Sequence, residues 1–372
     1  MSVIDRHTVT ATIGGIPVEV IEAETTLDRG WSPYAQGTLT IAAPALMAIL
    51  DPRRRAPITI RHRRRYSDSL TFAEVSTLHA GLTFAEVSEA FNGMTMSQMS
   101  ALYRTDWNAA GPHGEGGSVV IDAWLTGAAR SRTDPDVWRV SWCGDEQRAL
   151  TRLASAARWT PGGSTVRTIA AEALMRAGLD ATLGGSGDAA VAADDDGDMP
   201  VWQAGVSCWD YLQPIVAAAD LRLYADEARQ WHIADDTDPI GSCTIGPEAT
   251  EVHDTWDTDN GLFYDHAVLV YEWETKTGVQ KTAVDAFMGG AVSGYTETVP
   301  GRLTRKGRAE RIVRRAQQRA LSQDWDTVAD YTIRPGQAAT ITPDTATGIV
   351  EAVTWTYPAA RARVTISTVT TP

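Results

Sequence analysis

The chain has 372 residues, 43% of them hydrophobic and 22% charged, with a formal net charge of −14. That length implies two or three domains, and the composition excludes wholesale disorder. The negative charge excludes a general nucleic-acid binder, and no stretch approaches the roughly 18 consecutive apolar residues of a membrane span.

The amino terminus, MSVIDRHTVT, carries an acid and no apolar run, so no signal peptide is expected. Cys143, Cys208 and Cys243 are odd in number and form no C-x-x-C pair, which favours three thiols over a disulfide framework or a zinc site. Of 33 basic residues only Lys276, Lys281 and Lys306 are lysine; so strong an arginine bias points to a GC-rich genome. Charge is uneven along the chain. The segment from Asp180 to Asp259 holds 18 acids against two bases, Arg222 and Arg229, whereas Arg53 to Arg65 and Arg302 to Arg319 are basic. Such patches fit docking between like subunits or neighbours in an assembly, or are solvated faces.

In chain order, the first piece is β-rich. HTVTATIGGIPVEVIEAET reads as two strands joined at Gly14-Gly15. Further strands are expected at Gly37–Ile41, at Pro57–Tyr66, in SVVIDAWLTGAARSR and in DVWRVSWCG. In the last of these, Val137, Arg139, Ser141 and Cys143 share one face and Trp138, Val140 and Trp142 the other.

A 12-residue repeat interrupts this piece: LTFAEVSTLHAG, LTFAEVSEAFNG and MTMSQMSALYRT, from Leu70 to Thr105. Each copy carries helix-start chemistry. Thr71, Thr83 and Thr95 can cap, and Glu74, Glu86 and Gln98 three residues later can close a capping box. Leu70, Leu82 and Met94, set against Val75, Val87 and Met99, occupy the positions of a hydrophobic staple. Three short helices are therefore expected. Helices of one or two turns do not stand alone in water, so they must pack on each other or on a partner.

The middle opens with helices. Asp145 begins DEQRALTRLASAARW, Ser164 begins STVRTIAAEALMRAGL with Gly178 as its stop, and Ser207 caps CWDYLQPIVAAAD, where Pro214 can kink the helix. LRLYADEARQWHIAD reads as a tight hairpin. In the last third, LFYDHAVLVYEWE and VQKTAVDAF form a long hairpin, and a glycine-rich loop is expected over Gly289–Pro300. A basic helix follows in RKGRAERIVRRAQQRALS, with Arg308, Arg311 and Arg315 as candidate contacts, and three strands close the chain.

Catalytic signatures are missing. There is no G-x-x-x-x-G-K-[ST], no G-x-S-x-G and no H-E-x-x-H. The neighbours His253-Asp254 and Asp265-His266 are expected to point to opposite faces of their strands. Asp194, Asp195, Asp196 and Asp198 fail as a calcium loop, because the first and twelfth ligand positions would be Ala192 and Gln203. The 13 tryptophans could stack on sugars if exposed, but their strand positions favour packing. Neither cofactor nor metal is expected, and the chain reads as not an enzyme.

The resulting fold class is α+β, mainly β. It comprises two tube-type β-barrel or sandwich domains over 1–144 and 245–372, a small α/β middle domain over 145–244, and a short helical-repeat insertion at 67–112.

Two stretches carry a resemblance. Val201–Asp235 places a tryptophan, a helix and a hairpin ending in tryptophan in succession. Arg334–Thr368, RPGQAATITPDTATGIVEAVTWTYPAARARVTIST, is a Pro-Gly turn followed by paired strands. Both resemble minor tail and hub proteins of actinobacterial siphophages and, more widely, the baseplate hub group that includes late control protein D. The resemblance implies a homotrimeric ring at the distal end of the tail. It would join the tail tube or distal tail protein above to a tip, spike or fibre protein below. DNA would pass through its channel without specific binding, and the ring would reside in the virion tail tip after assembly in the host cytoplasm. The repeat has no counterpart in that family and would be a partner-specific insertion. The alternative is a tail-tip receptor-binding protein that recognises host cell-wall carbohydrate.

Overall fold

The computed structural model describes residues 5–30, 32–66, 83, 85, 86, 89, 95, 117–151, 158–179, 182–191, 193, 199–235, 239–246, 249–256, 263–274, 278–300, 303, 306–319, 321–341 and 347–368. The first part supplies β1 (Asp5–Ile13), β2 (Ile16–Val18), β3 (Val20–Asp28), β4 (Ala35–Ala42), β5 (Pro57–Tyr66), β6 (Ser118–Arg130) and β7 (Val137–Cys143). The middle holds α1 (Glu146–Thr151), α2 (Val166–Arg176), β8 (Leu183–Gly184), α3 (Cys208–Ala218), β9 (Leu221–Ala225) and β10 (Trp231–Asp235). The last part begins with β11 (Ser242–Ile245), β12 (Thr250–Trp256), β13 (His266–Glu274), β14 (Gln280–Met288) and β15 (Gly294–Pro300). It ends with α4 (Arg308–Arg319), β16 (Leu321–Val328), β17 (Ala338–Ile341), β18 (Thr347–Tyr357) and β19 (Arg361–Thr368).

The expected local signals set local structure. Gly14 and Gly15, with φ of 59° and 80°, turn β1 into β2, because glycine enters the left-handed region without a Cβ penalty. On β19, Ala362, Val364 and Ile366 all point inward and are buried. Ser207 caps α3 by accepting from the Asp210 amide at 3.0 Å, and Pro214 lies inside that helix. The cap of α2 is Thr165 rather than Ser164. Its side chain accepts from the Thr168 amide while the Thr168 hydroxyl accepts from the Thr165 amide, and this reciprocal pair fixes the first turn one residue later than expected.

The seven strands of the first part and six of the last form a single 13-stranded sheet. Its main path runs β12-β16-β19-β18-β3-β4-β7-β6-β5-β1-β2, with β17 also paired to β18 and β11 parallel to β17. The junction is β18, whose residues 352–357 run antiparallel to 28–23 of β3 while its opening residues pair with β17. A second sheet, β8-β10-β9, belongs to the middle, and a third, β14-β13-β15, carries α4 on one face through Leu269, Tyr271, Ala309 and Val313. Among the described residues the architecture is mainly β with added helices, and none of the sheets closes on itself.

One core underlies the joined sheet: Ile13, Leu39, Ile58, Ile121 and Trp142 of the first part cluster with Trp325, Tyr331, Val350, Trp355 and Val364 of the last. Gly37 on β4 is required by this packing. A Cβ there would lie 2.1 Å from the Glu24 carbonyl oxygen and 2.6 Å from the Trp142 ring. The middle has its own core, in which Trp202 stacks on Tyr211 at 5.3 Å near Leu174, Leu212 and Trp231.

Several expectations need correction. Gly294–Pro300 is a strand, parallel to β13, and not part of a loop. Its parallel pairing leaves no turn signal to announce it, and Tyr295 and Val299 both turn toward the α4 side. The basic helix stops at Arg319, and Leu321–Val328 is a strand whose first two residues the expected helix had included. The short strands β11 and β12 were also unforeseen.

Candidate functional site

The three parts of the chain meet at the turn between β9 and β10. The Glu227 main-chain oxygen accepts from the Asp122 amide on β6 at 2.7 Å, and its carboxylate accepts from the Arg334 guanidinium. Arg334 in turn donates to the carbonyls of Tyr331 and Ile333 at 2.7 and 2.9 Å, which fixes it to the last part of the chain. One residue therefore ties the middle to both β-halves.

A second knot lies beside it. The buried Asp145 carboxylate accepts from the Trp124 indole and, at 3.1 Å, from Arg229. The guanidinium groups of Arg148 and Arg229 each sit 4.5 Å from the centre of the Trp124 ring, so cation–π attraction supplements the ion pairs. Adjacent Glu146 is buried too and accepts from the Tyr34 amide. Burial pushes its carboxyl up to about 8, against the pull of main-chain hydrogen bonds from Tyr34 and Ala225. Arg222 closes the group: it donates to the Arg29 carbonyl at 3.1 Å and lies 4.1 Å over the Tyr224 ring. Beneath the junction, fully buried His62 hydrogen-bonds the Thr25 hydroxyl at 2.9 Å, with Tyr331 and Trp355 alongside. Burial, followed by the nearby His7, brings His62 down to about 4.

These groups are locked to one another and hold the middle part against both β-halves. Sequence reading missed them because partners such as Glu227 and Arg334 are 107 positions apart. Charge in the hairpin turn was visible, but its destination was not.

Within the repeat, the Thr83–Glu86 pair forms the expected box. The Thr83 amide and hydroxyl both donate to the Glu86 carboxylate, at 2.7 and 2.6 Å, and hold that carboxyl below its usual range. Ala85, Glu86 and Glu89 are helical, and Thr95 is exposed. Thr71, Glu74 and Gln98 lie outside the described residues.

Two arginines of α4 reach partners on other elements. Arg308 reaches Glu297 at 3.3 Å, Arg311 pairs with Asp220 of the middle part, and Arg315 is half-buried. The carboxylate of Asp285 on β14 accepts from the amides of Gly307 at 3.0 Å and Ala309 at 3.0 Å, an N-terminal cap supplied by another element.

The pair Asp265-His266 departs from expectation: the two side chains hydrogen-bond at 2.9 Å. Asp265 precedes β13, so strand alternation does not govern it. The same carboxylate accepts from the amides of Val292 at 2.7 Å and Ser293 at 3.0 Å, and these bonds, with His266, hold it down to about 2. It clasps the link between β14 and β15. The imidazole lies against Gly294, where even a Cβ would approach Nε2 to 2.1 Å.

The side chains of His253 and Asp254 lie outside the described residues, as do Asp194, Asp195, Asp196 and Asp198. Among the described residues no three His, Cys, Asp or Glu side chains converge on a common point for a metal ion, and no helix is long and apolar enough to cross a membrane. Trp142, Trp202, Trp231, Trp325 and Trp355 are buried, and Trp124, Trp138, Trp159, Trp209 and Trp273 are half-buried. These ten rings pack inside the protein and form no exposed sugar platform.

No family model matches the sequence, and no curated protein matches it. Solved structures do. The tail protein from Neisseria meningitidis MC58 is similar over 97% of this chain and 96% of its own, with a TM-score of 0.54 and 11% identity. The 43 kDa tail protein of prophage MuSo2 from Shewanella oneidensis is similar over 97% of this chain and 98% of its own, with a TM-score of 0.53 and 8% identity. At such identities the likeness is one of fold. From end to end, this chain has the fold of these two tail proteins.

Proposed function

We propose that the chain is a structural subunit of a phage tail: a hub at the distal end of the tube that assembles as a homotrimeric ring. In this reading the β-segments over 1–144 and 245–372 form the ring wall, and 145–244 braces it from outside. The ring joins the tail tube to the tip and surrounds the channel for DNA ejection. The arginine bias fits a phage of a GC-rich host, an actinobacterial one included.

The observation that carries this reading is the shared fold along nearly the whole length of two tail proteins, one of them from a prophage. The joined sheet supports it physically. Two β-halves hydrogen-bonded through β3 and β18 make one stiff wall, and the Glu227–Arg334 and Arg229–Asp145 contacts fix the middle part against it. The packed tryptophans and self-satisfied ion pairs support a building part over a receptor-binding or catalytic one.

Electron microscopy of the purified full chain at high concentration tests the proposal. Rings with threefold symmetry and a central channel are the expected result. A strictly monomeric, single-lobed particle at every concentration overturns it.

A further inference from the structure

The sheet β14-β13-β15 has one face covered by α4, and among the described residues no other element packs on the opposite face. Alternation puts Val268 and Val270 of β13 and Val284, Ala286 and Met288 of β14 on the bare face. Register makes them neighbours: Val268 is opposite Ala286, and Val270 is opposite Val284. Val284 is 50% exposed and Met288 69%. Immediately beyond Val270 on the same face stand the exposed carboxylates of Glu272 and Glu274. The result is an apolar field with an acidic end.

A second patch lies on the first β-half, in the turn before β5. Ile49 and Leu50 are buried and anchor this turn, while Leu46 and Met47 are 51% and 44% exposed. Arg54 and Arg55 follow, both exposed. Asp51 is taken up by Arg53 at 2.8 Å, and neither Arg54 nor Arg55 forms a salt bridge with a described residue. This is an apolar knob with a basic end. The two patches hold four of the nine large hydrophobic side chains that the described residues expose.

We propose that these two patches are the two sides of one contact between copies of this chain, with Leu46 and Met47 of one copy on the Val270–Val284 face of the next. Charge complementarity selects a second copy as occupant, because Arg54 and Arg55 then meet Glu272 and Glu274. A face-to-face pairing of the bare sheet with itself would instead bring the same carboxylates from both copies to one interface. A contact between two different patches is heterologous, and repeating it by rotation closes a ring. The inference rests on the self-assembling ring proposed above and names the surfaces that build it.

Sedimentation velocity on the full chain tests it with two variants at exposed positions, Leu46→Asp/Met47→Asp and Val284→Asp/Met288→Asp, whose folding is checked by melting curves. Each alone should associate only at concentrations at least about tenfold above those of the unaltered chain. Mixed in equal amounts they should form one-to-one dimers and nothing larger, since each copy keeps one working patch. If an aspartate variant misfolds, Arg54→Glu/Arg55→Glu and Glu272→Lys/Glu274→Lys should weaken association singly and restore it when combined in one chain. Variants that assemble like the unaltered chain overturn this contact and leave the tail-ring reading standing. One aspartate variant that alone forms dimers at the concentrations where the unaltered chain assembles overturns it in favour of a self-paired face. An unaltered chain that never associates overturns both proposals.

Discussion

The 13-stranded sheet and the three-stranded sheet solve the same problem differently. Each is apolar on at least one face and must cover it. The large sheet does so within the chain: inward residues of both β-halves share one core, and its outward face carries polar residues such as Thr10, Thr38, Arg61, Arg139 and Arg363. The small sheet covers one face with α4 and leaves valines and a methionine on the other. The first is complete as a monomer. The second has the makeup of a surface whose cover comes from elsewhere.

Four substitutions bear on this contrast, in descending order of effect. Trp355→Ala removes a fully buried ring from the shared core and should cost about 3–5 kcal/mol in denaturant titration. Because that core spans both halves, fluorescence and circular dichroism should report one transition; separate transitions for the two halves would break the idea of a single sheet. Leu269→Ala, in the small sheet, should cost about 2–4 kcal/mol locally. Hydrogen exchange should rise in β13–β15 and α4 while the large sheet stays protected.

Glu146→Gln probes the junction where the middle part meets the large sheet. In the folded chain this carboxyl stays protonated up to about 8, whereas an ordinary glutamate ionises near 4.5. The unfolded state therefore releases its proton first, and stability falls as pH rises between those two values. Glutamine should flatten that slope, so the variant gains on the parent by up to a few kcal/mol toward pH 8. An unchanged slope in melting curves across that range would assign the pH dependence to other groups.

Thr83→Ala is the smallest change. It removes an exposed capping box, costing its short helix about 1 kcal/mol. The main unfolding transition should not move; a large shift would place the repeat inside the main core.

What could be read from residues and what could not divides along chain distance. The Gly14-Gly15 turn, the Ser207 cap, the β9–β10 and β13–β14 hairpins and the inward face of β19 depend on neighbours a few positions away, and all were legible. Strand β15 was not, because its pairing with β13 is parallel and skips β14, so no turn signal announces it. The Asp265–His266 bond was not legible either, because Asp265 lies one residue before β13, where strand alternation does not hold. Of the arginines singled out on α4, sequence gave the helix and its charge; only the structure showed that Arg308 reaches Glu297 and Arg311 reaches Asp220.

Sequence by itself determined a mainly β chain with a helical middle, a 12-residue repeat with capping residues at matching positions, and no recognisable catalytic signature. Those properties are written in periodicity, caps and motifs, which act over a turn or a strand. Tertiary structure decided that two β-halves become one sheet, since β3 and β18 lie more than 300 residues apart and pair only after both halves have formed. It also decided which of several apolar strand faces remains bare, because a face is covered or exposed only by what packs against it.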